Sequence, residues 1–379
     1  MANSITQPVF DLHAHPSLKV YLFKKKLYKN YPAGGAWNPL TLRVSLPKIK
    51  KGGGQTIVCS HYVLEKEMID DCWAIKSALS VGGLFVGRWK KLLKKSPYKV
   101  TKKMINIFNE AVTKAKNKGW PVTVARTKTE LEAALSSDNI IFLHAVEGAH
   151  TLNGKIAKLQ NLFNKGVCML TPAHVYANEA VDSVGGIPPD FQSFGCFQNQ
   201  GVQQGGLLPF GEEVINKMIE LGMIIDMTHC TPTARSQIFQ LNNNQRPLIM
   251  SHVGVHTMNS HPMNPSDAEI KQIADSGGVV GIIFYNYWLT SPNPPKNGLD
   301  LIFKTVDHIK NIVNIAGIDH VAIGSDFDGF TDPPDDINDP AMFPDLQSEL
   351  KNSGFSDLEV EKLFKTNALR VLTDGWGRV

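Results

Sequence analysis

The sequence is poor in most of what would mark it as anything but an ordinary globular chain. Five cysteines (Cys59, Cys72, Cys168, Cys196, Cys230) are scattered through 379 residues, with no CxxC pair to suggest a zinc ribbon or a redox motif. An odd, dispersed set of this kind reads as reduced thiols in a cytosolic compartment. No stretch of 18 apolar residues occurs, which argues against a spanning helix. The opening residues show neither the basic nor the apolar region of a secretion leader, so the expected setting is soluble and cytoplasmic. Charge of one sign is also lacking: 39 basic residues against 35 acidic ones leave a net charge of +4. That is too mild for a nucleic-acid or membrane surface, and runs such as Lys24-Lys25-Lys26 read as solvated faces. No internal repeat or linker divides the chain, so a single domain over 1–379 is expected.

What is present is regular. Eight short runs rich in Val, Ile, Leu, Met and Phe lie at 9–15, 55–62, 140–147, 167–174, 223–229, 247–252, 279–285 and 321–326, the pattern of strands buried on both faces. Helical patterns lie between them at 151–164, 210–221, 232–241, 265–276 and 301–315, and a Leu-rich tail at 356–372 reads as a closing helix. Strand and helix alternating eight times predict an α/β fold, a (β/α)₈ TIM-type barrel with a parallel sheet. Two connections exceed a simple crossover. Residues 16–54, after the first strand, read as a loop excursion over one mouth, and 63–139, after the second, as about three helices including 98–118. A third, smaller insertion at 182–208 is rich in Gly, Pro and Gln. Loops of this length are commonly binding loops or lids.

The ends of the strands carry the chemistry. The first ends in His13-Ala14-His15, the third in Glu147, the fourth in His174, the fifth in His229, the sixth in His252 and the eighth in Asp326. In a barrel of this type those ends meet at one mouth. Any one of the 12 histidines is by default an ordinary core or surface residue, and His61, His144, His150, His256, His261, His308 and His320 are left as such. Joint placement at strand ends is what separates the others. Five ligands (His13, His15, Glu147, His229, His252) are too many for one tetrahedral ion with an open position. They suit two ions bridged by Glu147, one on His13 and His15, the other on His229 and His252. A hydroxide between two cations is a strong nucleophile near neutral pH. Asp326 would accept its proton and pass it to the leaving amine, and His174 would donate to the developing oxyanion. Asp328 reads as a loop-orienting residue, and Cys230 as a small core filler.

Taken together these residues resemble the amidohydrolase superfamily, and within it the membrane (renal-type) dipeptidases, peptidase family M19. The likeness rests on Leu208-Pro209-Phe210-Gly211 with the following stretch to His229, on 247–252, on 320–329, and on Asn367-Ala368-Leu369-Arg370-Val371-Leu372. It implies two Zn²⁺ per chain bridged by Glu147, proton transfer by Asp326, substrate contact by His174 and hydrolysis of dipeptides, with a homodimer as the assembly. The expected partner is thus a small molecule and not a nucleic acid or membrane. Two features depart from the family. Its first motif is usually His-x-Asp, and His15 here replaces an anionic ligand with a neutral one, which reads as altered tuning of the metals. The Arg that grips the substrate carboxylate after the sixth strand is absent from Ser260-His261-Pro262-Met263-Asn264, and no arginine occurs between Arg246 and Arg370. His256 or His261 would be weak substitutes. A dipeptide therefore leads, with an N-acyl amino acid, a lactone or another small amide as the alternative, and a non-catalytic metal-binding barrel as a third reading.

Overall fold

The computed structural model describes residues 7–32, 38–85, 87–201, 205–290 and 302–377. Nine strands run in chain order: β1 (Val9–Ala14), β2 (Gly54–Tyr62), β3 (Val122–Val124), β4 (Ile140–Glu147), β5 (Val167–Thr171), β6 (Ile224–Asp226), β7 (Leu248–Val253), β8 (Val279–Ile282) and β9 (Val321–Ile323). All pair in parallel, and β2 bonds to β4 as well as to β1, so eight strands close into a barrel. The barrel expected from the apolar runs is the barrel found. Its strands are buried along nearly their whole length, as a sheet wrapped by helices on the outside and filled with side chains inside requires. Two glycines permit close packing of the last strands: a Cβ at Gly281 or Gly324 would collide with the Ser251 carbonyl oxygen on β7.

Several boundaries differ from the expectation, for physical reasons. Strand β3 was not expected; three residues leave no readable period. Since β2 occupies one edge of β4 over Ile141 to Glu147, β3 and β5 share the other edge, β3 against Ile140 to Phe142 and β5 from His144 onward. Three runs end early: β5, β6 and β9 each leave the ladder three residues before His174, His229 and Asp326, which therefore sit on the turns that follow. The backbone leaves the strand conformation there, with φ of +67° at His229 and +55° at Asp326. The helical pattern at 151–164 is broken by left-handed Asn153 and Gly154, leaving a helix at Ile156–Asn164. The excursion after β1 contains helices Pro16–Phe23 and Leu46–Lys51. The insertion after β2 holds five helices, not three: Lys66–Asp70, Trp73–Phe85, Gly87–Lys94, Pro97–Lys116 and Lys128–Leu135.

The cysteine reading requires correction. Cys72 and Cys196 form a disulfide between the insertion after β2 and the loop after β5, while Cys59, Cys168 and Cys230 are free and buried. The bridge joins two excursions 124 residues apart, a closeness that spacing cannot reveal. Such bonds persist in oxidising compartments, so the thiol-based argument for a cytosolic setting is lost. Unfolded without reductant, the protein is expected to titrate three thiols per chain; a count of five would refute the bridge. Among the described residues no helix is long and apolar enough to cross a membrane.

Two histidines left as ordinary core form a buried pair with its own consequence. His61 on β2 donates from Nε2 to His144 Nδ1 on β4 at 2.8 Å, and His144 Nε2 donates to Asn109 Oδ1 at 3.1 Å. Burial pushes His144 from the usual 6.5 down to about 3 and His61 well below its ordinary value. Both rings are neutral in the fold but protonate near 6.5 in the unfolded chain. The stability they contribute is thus complete above pH 6.5 and falls as pH drops toward 3. His144 alone should remove about 3 kcal/mol by pH 4. His144→Gln, which keeps an N–H for Asn109, is expected to flatten the acid limb of a denaturation-versus-pH curve; an unchanged slope would count against this assignment.

Candidate metal centre

The carboxyl ends of five strands, β1, β4, β6, β7 and β9, bring His13, His15, Glu147, His229, His252 and Asp326 to one rim, all buried. Glu147, at the end of β4, lies at the middle. His13 Nε2 and His229 Nε2 stand 3.5 and 3.4 Å from its Oε1, His252 Nε2 is 3.6 Å from the same oxygen, and His15 Nε2 is 3.4 Å from Oε2. The ring nitrogens also face each other in pairs, His13 with His15 at 3.0 Å and His252 with His229 at 3.3 Å. Two triads whose ligand atoms lie within 4.8 Å of one another result, His13–His15–Glu147 and Glu147–His229–His252. These are the two sets anticipated from the strand ends. A third grouping, His13–His252–Asp326, is equally compact, and His15 Nε2 lies 3.1 Å from Asp326 Oδ1.

The donor chemistry fits divalent ions. Both Glu147 oxygens are buried without a hydrogen-bond donor, a costly state for a carboxylate unless a cation completes it. Burial, with help from neighbouring charges, pushes His252 well below its ordinary value and lowers His229 too, so both present neutral nitrogens. Burial opposes charge on His13 as well, but Glu147 outweighs it and raises His13 to about 9. Glu147 is held well below the carboxylate range against its burial, chiefly by His13 and His174. Four imidazole nitrogens around one shared carboxylate suit zinc and similar ions.

The supporting layer is built from residues that sequence reasoning passed over. Ser251, on β7, has its Oγ 2.7 Å from His252 Nδ1 and 3.2 Å from His13 Nδ1, so one hydroxyl orients a ring in each triad. Its hydroxyl donates to Asp226 Oδ2 at 2.6 Å, and Asp226 also accepts from the Ser251 and Thr228 backbone N–H groups and from the Thr171 and Thr228 hydroxyls. Asp11, on β1, accepts from the His13 and Ser325 backbone N–H groups. Each Asp interrupts an otherwise apolar buried run, and that costly placement was a readable signal. Glu65 gave no such signal. It lies beyond β2, fully buried, where its Oε1 is 2.8 Å from His174 Nδ1 and its Oε2 accepts from the Tyr62 hydroxyl. Burial would raise Glu65, but His174 more than reverses this and holds it at about 2. The same pairing raises His174, against its own burial, and its Nε2 stands 4.0 Å from Glu147 Oε2. Asp328 accepts from the Arg43 and Val44 backbone N–H groups, which fixes the segment before Leu46.

No arginine described here turns toward the centre. Arg235 pairs with Glu269 and bonds to the Cys230 and Pro262 carbonyls. Arg43 bonds to the Asn338 carbonyl, Arg246 to that of Ile219, and Arg370 to those of Gly277 and Asp319. His261 stacks beside Trp288, where burial lowers it to about 4, so it carries no charge for a carboxylate at neutral pH. His256 is exposed and lies outside the cavity above the centre.

Comparison with known proteins agrees with this geometry. A curated protein from Klebsiella pneumoniae, described only as lying in a pqqA 5′ region, is 34% identical over 231 residues, covering 61% of this chain and 80% of its own. Dipeptidase verJ of Clonostachys rogersoniana is 28% identical over 249 residues, covering 66% of this chain and 59% of its own. An uncharacterised dipeptidase of Schizosaccharomyces pombe is 29% identical over 64% of this chain and 54% of its own, so the chain spans little over half of these two dipeptidases. Among solved structures, a metallopeptidase from Rhodobacter sphaeroides bound to a phosphinate mimic of the dipeptide L-Ala-D-Ala superposes with a TM-score of 0.77 at 20% identity, covering 98% of this chain and all of the other. The probable dipeptidase PvdM from Pseudomonas aeruginosa gives 0.74 at 19% identity over 99% and 96%. At such identity the likeness speaks to the fold. Family assignment comes from the model of the membrane dipeptidases, which matches residues 4–375. The chain belongs to the membrane dipeptidase family, peptidase family M19, a family of hydrolytic enzymes.

Proposed function

We propose that the protein is a metal-dependent hydrolase of a small amide, in the first instance a dipeptide, with two zinc ions shared by His13, His15, Glu147, His229 and His252. The observation that carries this reading is Glu147, a buried carboxylate with two undonated oxygens and four imidazole nitrogens within 3.6 Å. Ions bound there would supply a water acidified toward neutral pH and a Lewis acid for the amide carbonyl. The chain's own residues do the rest. Asp326, 3.1 Å from His15 Nε2 at the open side of the centre, accepts the proton of the attacking water and delivers it to the departing nitrogen. His174 is fixed at Nδ1 by Glu65, which favours the ring protonated on both nitrogens and leaves Nε2–H to bond the oxyanion. Ser251 and Asp226 hold the His13 and His252 rings at the angle that ligation needs.

Metal analysis of zinc-saturated protein tests the centre, with two ions per chain expected. A panel of dipeptides beside their C-terminally amidated forms tests the chemistry. The reading fails if the saturated protein holds no ion, or holds ions and cleaves neither set. Cleavage of N-acyl amino acids or lactones in place of peptides would select the alternative amidohydrolase.

A further inference from the structure

We propose that the substrate of this centre carries a bulky, uncharged apolar group, and that the protein recognises it by burial in an aromatic chamber and not by clamping a free carboxylate. The inference rests on the hydrolytic reading above, because the proposed metal ligands form the floor of the chamber.

One cavity of about 780 Å³ opens over the centre, with His15, Glu147, His174, His229, His252 and Asp326 among the residues that line it. That volume takes a ligand much larger than a dipeptide of small residues. Above the floor the described lining is mostly apolar, with Tyr62, Tyr285 and Thr331 as its hydroxyl-bearing members. The excursion after β1 contributes Leu18, Leu22 and Phe23; the insertion after β2 contributes Met68, Ile75 and Leu79. The loop after β5 adds Ile187, Phe191, Phe194 and Phe197, and the turns after β8 and β9 add Trp288 and Phe330. Among the described lining residues there is no lysine or arginine, and the only carboxylates are Glu147 and Asp326. A substrate carboxylate placed against these walls would lose its water and meet no lysine or arginine among the described lining residues, Lys19 standing behind Phe330 with its Nζ 3.7 Å from the centroid of that ring. An alkyl or aromatic group would lose only unfavourable contact with water.

The chamber is built by the insertions that the barrel itself does not need. In the helix Trp73–Phe85, Ile75, Ala78 and Leu79 are spaced three and four apart, so one face lines the cavity. The Cys72–Cys196 bridge ties the start of that helix to the loop bearing Phe191, Phe194 and Phe197, and Trp73 Nε1 donates to the Phe194 carbonyl at 3.0 Å. At the mouth, Leu40, Trp73 and Phe194 are 57%, 64% and 72% exposed. Large apolar side chains grouped at the entrance of an apolar cavity are the mark of a site that takes apolar material from water.

The test uses the zinc-loaded protein with leucine n-alkylamides from ethyl to octyl, and with Ala-D-Ala and Leu-Phe as free acids and as C-terminal amides. The expected kcat/KM rises about two- to fourfold per methylene until the chamber is filled, and the amides are cleaved at least as fast as the acids. Ala78 is exposed on the lining face, so Ala78→Trp fills space without disturbing the core; it should cut the octyl-to-ethyl ratio by about tenfold. A flat alkyl series, an unchanged ratio in Ala78→Trp, or a free acid tenfold better than its amide overturns the proposal, and in the last case the hydrolytic reading survives. If nothing is cleaved, the hydrolytic reading fails by itself. Calorimetric binding of the alkylamides to the same protein then decides: a Kd that tightens with chain length upholds the apolar chamber, and one that does not overturns it.

Discussion

Asp326→Asn is expected to lower turnover by about three orders of magnitude without changing the metal content of the protein. The magnitude is that of a lost general acid–base group. The structure makes the substitution a clean one. The Asp326 backbone N–H donates to the His13 carbonyl at 2.9 Å, and the residue is held at a φ of +55°, a conformation that Asn accepts more readily than most side chains. The amide therefore occupies the place of the carboxylate, with the same volume, and loses only the ability to take a proton. The experiment has force because a second role is open on geometric grounds. Asp326 lies within ligand distance of His13 and His252, so it could serve as a sixth ligand. The two roles part company in metal content. Loss of an ion on substitution would make Asp326 a ligand first, and a slow enzyme with full metal would make it the proton carrier. Full activity would remove it from the chemistry.

The barrel and the rim were legible because each rests on a local rule that tertiary context did not overturn. A strand buried on both faces must be apolar throughout, so eight apolar runs announced eight strands. A polar residue at the end of such a run is costly unless something binds it, which singled out His13, Glu147 and His252. His174, His229 and Asp326 were found by the same reasoning although they lie three residues beyond the ladder, since the turns keep them at the mouth. Two kinds of feature escaped. Asp11 and Asp226 were readable as carboxylates inside apolar runs, yet their partners Ser251, Ser325 and Thr228 became apparent only when strands were placed side by side. Glu65, the Cys72–Cys196 bridge and the aromatic chamber join segments of the insertions whose mutual approach no period or spacing records. The site's chemistry was thus written locally, while what surrounds and selects the substrate was not.

Glu147→Gln is expected to abolish activity by removing the ions and not by unfolding the chain. Glu147 is the single anion common to the His13–His15 and His229–His252 pairs, and the usual aspartate of the family's first motif is here the neutral His15. Two dications would therefore rest on one shared carboxylate, with Asp326 beside His15 and Asp226 behind Ser251 to add negative charge. An amide of the same shape offers no charge, and its N–H₂ group points protons where a cation must sit. Metal content should fall from two ions to below one per chain, and turnover by about 10⁴ or more. Thermal unfolding separates this from a folding defect. In chelator the variant and the parent should melt within a few degrees, because the substitution removes a buried anion at the same time as its contacts. Saturating zinc should raise the melting point of the parent by roughly 5 °C or more through binding to the native state alone, and should leave that of Glu147→Gln nearly unmoved. A zinc-dependent rise in the variant equal to that of the parent would place the ions elsewhere. The bridging carboxylate, and the pairing of histidines around it, would then have to be given up.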